Sequence, residues 1–345
     1  MPTEPAHNRV RERRTALRMT QAELAERAGV SRTAVTAIEG ERLVPSVATA
    51  LAIAEVLGGT AEELFGRGGS TLPTERWAWQ APGSPPRCWR AEVGGQTILY
   101  PAASTPMFTP LPDTAVSSAS TPDATLVIAC CDPAAGLLAS QYATATGMRL
   151  LVLPRSSRQA VEMLREGLVH MAGLHLSTSD APEQNSQVVR EALGDNCQML
   201  RVARWQEGIA AMPAAKLRSV RGAMNAKLTW IGREPGSGAR QCLDSLMGNR
   251  PVPRRIACSH RGVTEAVRSG WADAGVCVQL ASAEAGLDFL PVQEEAYDVC
   301  FPGSLADDRR VKAFLSIVRS TAYRRLLGEL PGYDTSETGN MWGAN

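Results

Sequence analysis

The 345 residues carry 36 basic and 35 acidic side chains, a net charge of +1, and 44% of them are hydrophobic against 21% charged. This is ordinary soluble globular composition, with length for two or three domains and a sizeable core, and no run of 18 apolar residues reads as a membrane span. Arg9, Arg11, Arg13 and Arg14 have no apolar stretch behind them, so no secretory signal is read and a cytoplasmic protein is expected. The eight cysteines include no C-x-x-C pair and several lie inside apolar runs, which favours buried free thiols over disulfides or zinc.

The first predicted elements are two short helices joined by a tight turn over residues 20–42. Thr20 and Glu23 form a T-x-x-E capping box, Gly29 supplies the corner, and Ser31 caps the second helix. Leu24, Ala25, Val30, Val35 and Ile38 fall where two crossing helices touch. Between Arg9 and Arg42 stand eight Arg against five Glu, so the basic surplus sits on the helices that would meet phosphate. Ser31, Arg32, Thr33 and Thr36 occupy the start and one face of the second helix; Arg32, Thr33 and Thr36 are candidates for base edges, and Gln21 and Arg42 for phosphates. Two further helices, at about 46–57 and from a Thr60 to Glu63 capping box to Phe65, complete a five-helix head. From Val10 to Phe65 the pattern resembles the Xre/Cro/C1 repressor family, which implies operator binding.

Residues 67–122 read as a linker. Within it, Gly94-Gly95 between two strand-like runs predicts a β-hairpin, with Trp77, Trp79 and Trp89 nearby, that either makes a dimer contact or packs on the next domain.

From Asp123 onward, apolar strand-like runs alternate with helical segments, predicting a mostly parallel sheet covered on both faces. One set of strands (126–131, 150–153, 169–174, 199–203) and a second (228–231, 255–258, 274–278, 289–292) imply two lobes. Segments near 208–212 and 292–298 would cross between them and form a cleft at the strands' carboxyl ends. Ala129 to Ala134, Pro154 to Ser157, Gly167 to Gly173, Arg233 to Arg240, Ala272 to Gly275 and Gly332 to Gly339 resemble the periplasmic-binding-protein-like domain that some bacterial Xre-type regulators carry, a domain similar to molybdate-binding proteins. The resemblance implies a two-lobed α/β fold of type II over residues 123–345.

Arg233-Glu-Pro-Gly-Ser-Gly follows a strand and opens a helix, so Ser237 and the first free amides form an anion cradle that Arg240 can reach. Ser156 and Ser157 would supply donors from the opposite lobe. Asp132 and Asp273 fit an anion poorly unless the first only caps a helix and the second only makes a turn; facing the ligand, they would favour an amine-bearing molecule. His170, His175 and His260 are read as structural, with no metal and no cofactor.

The expected protein is thus a multidomain one-component regulator: an all-α head of residues 1–66, a hairpin linker of 67–122 and a two-lobed sensor of 123–345. It would act as a homodimer on operator DNA, controlled by a molybdate-like oxyanion or a small organic anion. The rival readings are a phosphate-cradling two-lobed enzyme and a DNA-binding module with a protein-interaction domain.

Overall fold

A computed structural model describes residues 8–65, 75–80, 88–102 and 121–343, and the chain divides into two compact units, 1–74 and 75–345.

The first unit is helical, with α1 (Val10–Ala16), α2 (Gln21–Arg27), α3 (Arg32–Glu39), α4 (Val47–Val56) and α5 (Ala61–Phe65). The capping box forms as its residue types demand: Thr20 Oγ1 accepts from Glu23 N at 3.2 Å and Glu23 Oε2 accepts from Thr20 N at 2.7 Å. Gly29 turns the corner at φ +65°, and Ser31 and Ser46 cap α3 and α4. Val10, Leu24, Val35, Ile38, Ile53, Leu57 and Leu64 close the core. A second lock was not read in the sequence. The Glu39 carboxylate accepts from Arg14 Nε at 2.6 Å and from Gln21 Nε2 at 2.7 Å, tying α1 and α2 to α3. The Glu63 half of the predicted Thr60 capping box lies outside the described residues.

The second unit opens with a small sheet in which β1 (Arg76–Trp77) runs parallel to β3 (Gln96–Pro101), and β3 is antiparallel to β2 (Cys88–Val93). Gly94 and Gly95 both have positive φ, as a two-residue hairpin turn requires. The hairpin is no free-standing linker. Trp89, Ala91, Ile98 and Tyr100 pack into one core with Val127, Leu151, Leu153 and Leu168. Tyr100 Oη donates to Leu168 O at 2.5 Å, and Arg149 Nη2 and Arg310 Nη1 donate to Arg90 O and Glu92 O. His170 adds a further bond. Its Nδ1 accepts from Val127 N at 3.0 Å, which leaves the proton on Nε2 for Glu92 O at 2.8 Å.

The rest of the unit alternates strand and helix. In chain order it holds β4 (Thr125–Cys130), α6 (Ala135–Thr146), β5 (Arg149–Pro154), α7 (Ser157–Arg165), β6 (Met171–Thr178), α8 (Gln184–Leu193), β7 (Cys197–Ala211) and α9 (Val220–Asn225). There follow β8 (Trp230–Arg233), α10 (Gly238–Met247), β9 (Ile256–Ala257), α11 (His260–Arg268), β10 (Ala274–Val278), α12 (Gln279–Glu284) and β11 (Asp288–Pro302). The chain closes on α13 (Arg309–Arg319), α14 (Thr321–Gly328), β12 (Tyr333–Asp334) and β13 (Met341–Gly343).

These strands form one sheet in the order β5-β4-β6-β11-β7-β10-β8-β9. The flanks are parallel, as expected, but the centre is an antiparallel ribbon of β7 and β11. The two expected pairs of strand and crossing segment are therefore two continuous 15-residue strands. The N-terminal half of β7 and the C-terminal half of β11 belong to the first lobe with β4, β5 and β6; their other halves belong to the second lobe with β8, β9 and β10. Register shifts at 291/293 and 297/298 mark the passage.

Candidate functional site

In the head, the structure sorts the predicted residues. Arg32, Thr33 and Arg42 are exposed, as base or phosphate contacts must be, and Ser31 Oγ is spent on its cap, accepting from Ala34 N at 3.1 Å. Thr36 does not present a free hydroxyl. Its Oγ1 donates to Arg32 O at 2.9 Å and lies 3.2 Å from Gln21 Oε1. Gln21, engaged by Thr36 and Glu39, is a brace between the two helices more than a phosphate ligand.

In the second unit, three strand-to-helix junctions converge with the end of β4 between the lobes. The start of α10 approaches β6 so closely that a Cβ on Gly238 would lie 2.5 Å from His175 Nδ1. Arg158 N donates to Gly236 O at 3.3 Å, Gln241 Nε2 to Gln184 Oε1 at 3.0 Å and Arg261 Nη2 to Pro133 O at 3.1 Å, so the lobes meet.

Inside this junction lies a buried polar cluster on which the sequence was silent. His175 is sealed from solvent; its Nδ1 is 2.6 Å from Glu295 Oε2 and its Nε2 is 2.9 Å from Cys131 Sγ. Burial alone would lower its pKa, but Cys131 and Glu295 outweigh it and hold the ring well above the usual value. Trp205 Nε1 and Gln293 Nε2 donate to the same Glu295 carboxylate at 3.1 and 2.8 Å. Glu207 is fully buried beside it, and burial together with the Glu295 charge raises its carboxyl well above its ordinary value. His260 Nδ1 accepts from Val278 N at 3.3 Å, which assigns the ring proton to Nε2. Burial, then the charges of Arg233 and His175, keep that ring uncharged.

Four buried groups in this region have polar atoms with no hydrogen-bond partner among the described residues: Ser156 Oγ, both oxygens of Glu207, Arg233 Nη1 and His260 Nε2. A cavity of about 580 Å³, lined by Cys131, Asp132, Arg155, Cys258, Ser259 and His260, reaches one of the four, His260.

Of the predicted ligand residues, Ser156, Ser157 and Arg233 reach this junction. Ser157 Oγ accepts from His175 N at 3.2 Å. Arg233 is buried and paired with Glu234 at 2.8 Å, leaving one guanidinium nitrogen unsatisfied. Asp132 does not cap α6, whose N-cap is Ala134; it lines the cavity and closes the turn before the helix, Oδ1 accepting from Ala134 N at 2.8 Å and from the Tyr333 hydroxyl at 2.5 Å. Burial raises its pKa to about 6 despite these donors.

Three expectations are corrected. Ser237 caps α10 and donates to Glu234 O, so its hydroxyl is spent. Arg240 turns along the helix to Asp244 at 2.8 Å, as residues four apart do, and lines with Arg158, Leu176 and Ser237 a second groove between the lobes, separate from the cavity beside Cys131. Asp273 is exposed at the amino end of β10, where it accepts from Thr229 N at 2.7 Å.

The histidines also separate. His170 is structural, whereas His175 and His260, read as unrelated, lie together with ring centroids 5.4 Å apart and planes tilted by 50°. Cys131, His175 and His260 bring one potential metal-ligand atom each within 4.8 Å of one another, yet His260 as hydrogen-bonded offers a proton and no lone pair.

Comparison with known proteins adds two family matches: the PBP superfamily domain over residues 139–319 and a helix-turn-helix domain over residues 10–64. Over 186 residues, half of this chain, the sequence is 28% identical to the uncharacterized protein YvgK of Bacillus subtilis; the match spans 60% of that relative. Among solved structures, an ABC-type phosphate transport receptor from Vibrio cholerae aligns over 60% of this chain and 98% of its own, at 16% identity and a TM-score of 0.43. A substrate-binding domain assigned to a molybdenum ABC transporter of Clostridium difficile aligns over 61% and 98%, at 14% identity and a TM-score of 0.42.

Proposed function

The chain belongs to the PBP superfamily domain family and carries an Xre-type helix-turn-helix head, and on that premise we propose that it is a one-component transcriptional regulator whose operator affinity is set by a small molecule held between the lobes. The observation that carries this reading is the set of unpartnered buried polar groups at the junction of the lobes, of which His260 lines the cavity. Natural interiors satisfy such groups, at about 1–3 kcal/mol for each one left unmade, so an orphaned set that reaches a cavity is what a ligand would complete.

The ligand class is a small anion, either an oxyanion of the molybdate type or a compact organic acid. Arg233 Nη1, His260 Nε2 and Ser156 Oγ are all donors, and the raised pKa of Glu207 weakens the opposition of its carboxyl to a negative charge. The protein works in the cytoplasm, binding and releasing DNA without turning the ligand over.

The active form is a homodimer on an inverted repeat, because one head of this size reaches one half-site. Support comes from the head's surface. Val47 and Leu51, four apart on α4, are 77% and 56% exposed, and Val44 in the loop before the helix is 86% exposed. A helix as apolar as α4, with large side chains left in water, is a surface awaiting a second copy.

The test is a thermal-shift titration of the full chain with molybdate, phosphate and small carboxylates, followed by operator binding with and without the ligand that registers. A true ligand at 100 times its dissociation constant adds about 2.7 kcal/mol of stability and changes operator affinity by about 1–3 kcal/mol. Stabilisation with no change in operator affinity would overturn the regulatory coupling. Light scattering of Val47→Glu against wild type tests the dimer; an unchanged dimer would put the interface elsewhere.

A further inference from the structure

Cys131, His175 and Glu295 stand in the order nucleophile, base, orienter. The Cys131 sulfur lies 2.9 Å from His175 Nε2, and Glu295 Oε2 lies 2.6 Å from His175 Nδ1. A carboxylate only accepts here, so Nδ1 carries the proton and Nε2 faces the sulfur. Glu295 is itself fixed by Trp205 and Gln293, so the relay is braced from behind. Cys130, Cys131 and Cys258 line the cavity; Cys130 is buried and Cys258 exposed, whereas Cys131 is half-buried and stands against the His175 ring.

The surroundings favour addition over metal binding. A metal site would need a lone pair from His260, but that ring presents its Nε2 proton, and Arg233 Nη1 nearby is also an unpartnered donor. Two buried donors around a nucleophilic sulfur suit an oxygen on which negative charge develops.

We propose that Cys131, His175 and Glu295 form a relay through which the cleft captures a soft carbon electrophile, an alkene conjugated to a carbonyl or carboxylate, as a stoichiometric adduct on Cys131. His175 Nε2 holds the proton while the sulfur bonds to the β carbon. The alkene π pair moves to form an enolate whose oxygen accepts from His260 Nε2 and Arg233 Nη1. The proton then passes from His175 to the α carbon. One S–C bond and one C–H bond form, the Nε2–H and the alkene π bond are consumed, and nothing leaves. This chemistry stands on the relay geometry alone, independently of any effect of the cleft on DNA.

The test is limited labelling of the full-length protein with N-ethylmaleimide, itself an activated alkene, with peptide mass mapping of each cysteine. Cys131 is expected to label roughly tenfold faster than the exposed Cys258 at pH 6.5, and its rate to rise less than about threefold up to pH 8.5. His175→Gln removes the preference, and Glu295→Gln reduces it and restores a steep pH dependence. If either variant fails to fold by its melting curve, the wild-type pH profile decides. Cys131 labelling no faster than Cys258, with the same climb with pH, would overturn the proposal, as would a His175→Gln chain that keeps the wild-type rate.

Discussion

The head and the cleft use polar side chains in opposite ways. In the head, Thr20, Glu23, Ser31, Gln21 and Glu39 bond to one another or to nearby backbone, and the residues offered to a partner, Arg32, Thr33 and Arg42, stand in solvent. In the cleft, Glu207, Arg233 and His260 are buried and incompletely bonded. A DNA reader meets a partner that brings its own charge and water, so its contacts wait at the surface. A small-molecule site must desolvate its occupant, and its donors are set in place beforehand.

The largest expected effect lies in the cleft. His175→Ala leaves the Glu295 carboxylate buried without its imidazole and should cost about 3–5 kcal/mol in urea unfolding of the full chain. Arg32→Ala, at an exposed position, should stay within about 0.5 kcal/mol of wild type in the same assay. Equal costs for the two would erase the contrast.

Next comes a pH effect on the hairpin. Burial, with the Arg310 charge, lowers His170 from 6.5 to about 4. A depressed folded-state value means that its contribution is present above pH 6.5 and is lost as the pH falls through about 4. The full swing is about 3 kcal/mol, at 1.36 kcal/mol per unit. Asp132 runs the other way: raised from 3.8 to about 6, its contribution is present below 3.8 and lost as the pH rises through 6. Unfolding curves of His170→Gln and Asp132→Asn against wild type, from pH 4 to 7, should therefore diverge with slopes of opposite sign.

The third effect is in recognition. Arg32→Ala should relax preference at one position of each half-site by about 1–3 kcal/mol, read from binding to a randomised operator library. Gln21→Ala should weaken all sequences alike, because it loosens the brace that aims α3. Smallest is Ser31→Ala, which removes the α3 cap at about 1 kcal/mol of head stability, measured by thermal melting.

How far the sequence could be read follows the same division. Thr20 to Arg42 was legible because capping, turning and helix crossing are settled within a few residues. The hairpin turn was legible at Gly94-Gly95, but not its attachment, which rests on Tyr100, Arg149, His170 and Arg310 meeting from distant segments. Ser156, Ser157 and Arg233 could be placed because they sit at strand-to-helix junctions. Ser237 and Arg240 looked equally suited, and only the competing acceptors Glu234 O and Asp244 diverted them. The relay of Cys131, His175 and Glu295 spans 164 positions and has no local signature beyond a cysteine that ends a strand.

The two long strands β7 and β11 also bear on modularity. Each contributes one half to each lobe, and the tail strands β12 and β13 return to cover the first half of β7. The second lobe is therefore one continuous stretch, from the middle of β7 to the middle of β11, set into a first lobe that is completed only after it. Gly208 shows how tightly the ribbon is drawn, since a methyl group there would collide with Leu290 O. A chain cut between residues 206 and 207, or a chimera joining one lobe to a relative's other lobe at that point, would sever the same strand for both and expose unpaired edges prone to association. Variation in what the cleft accepts is thereby channelled into the loops and helix starts around it, while the ribbon is inherited as one piece.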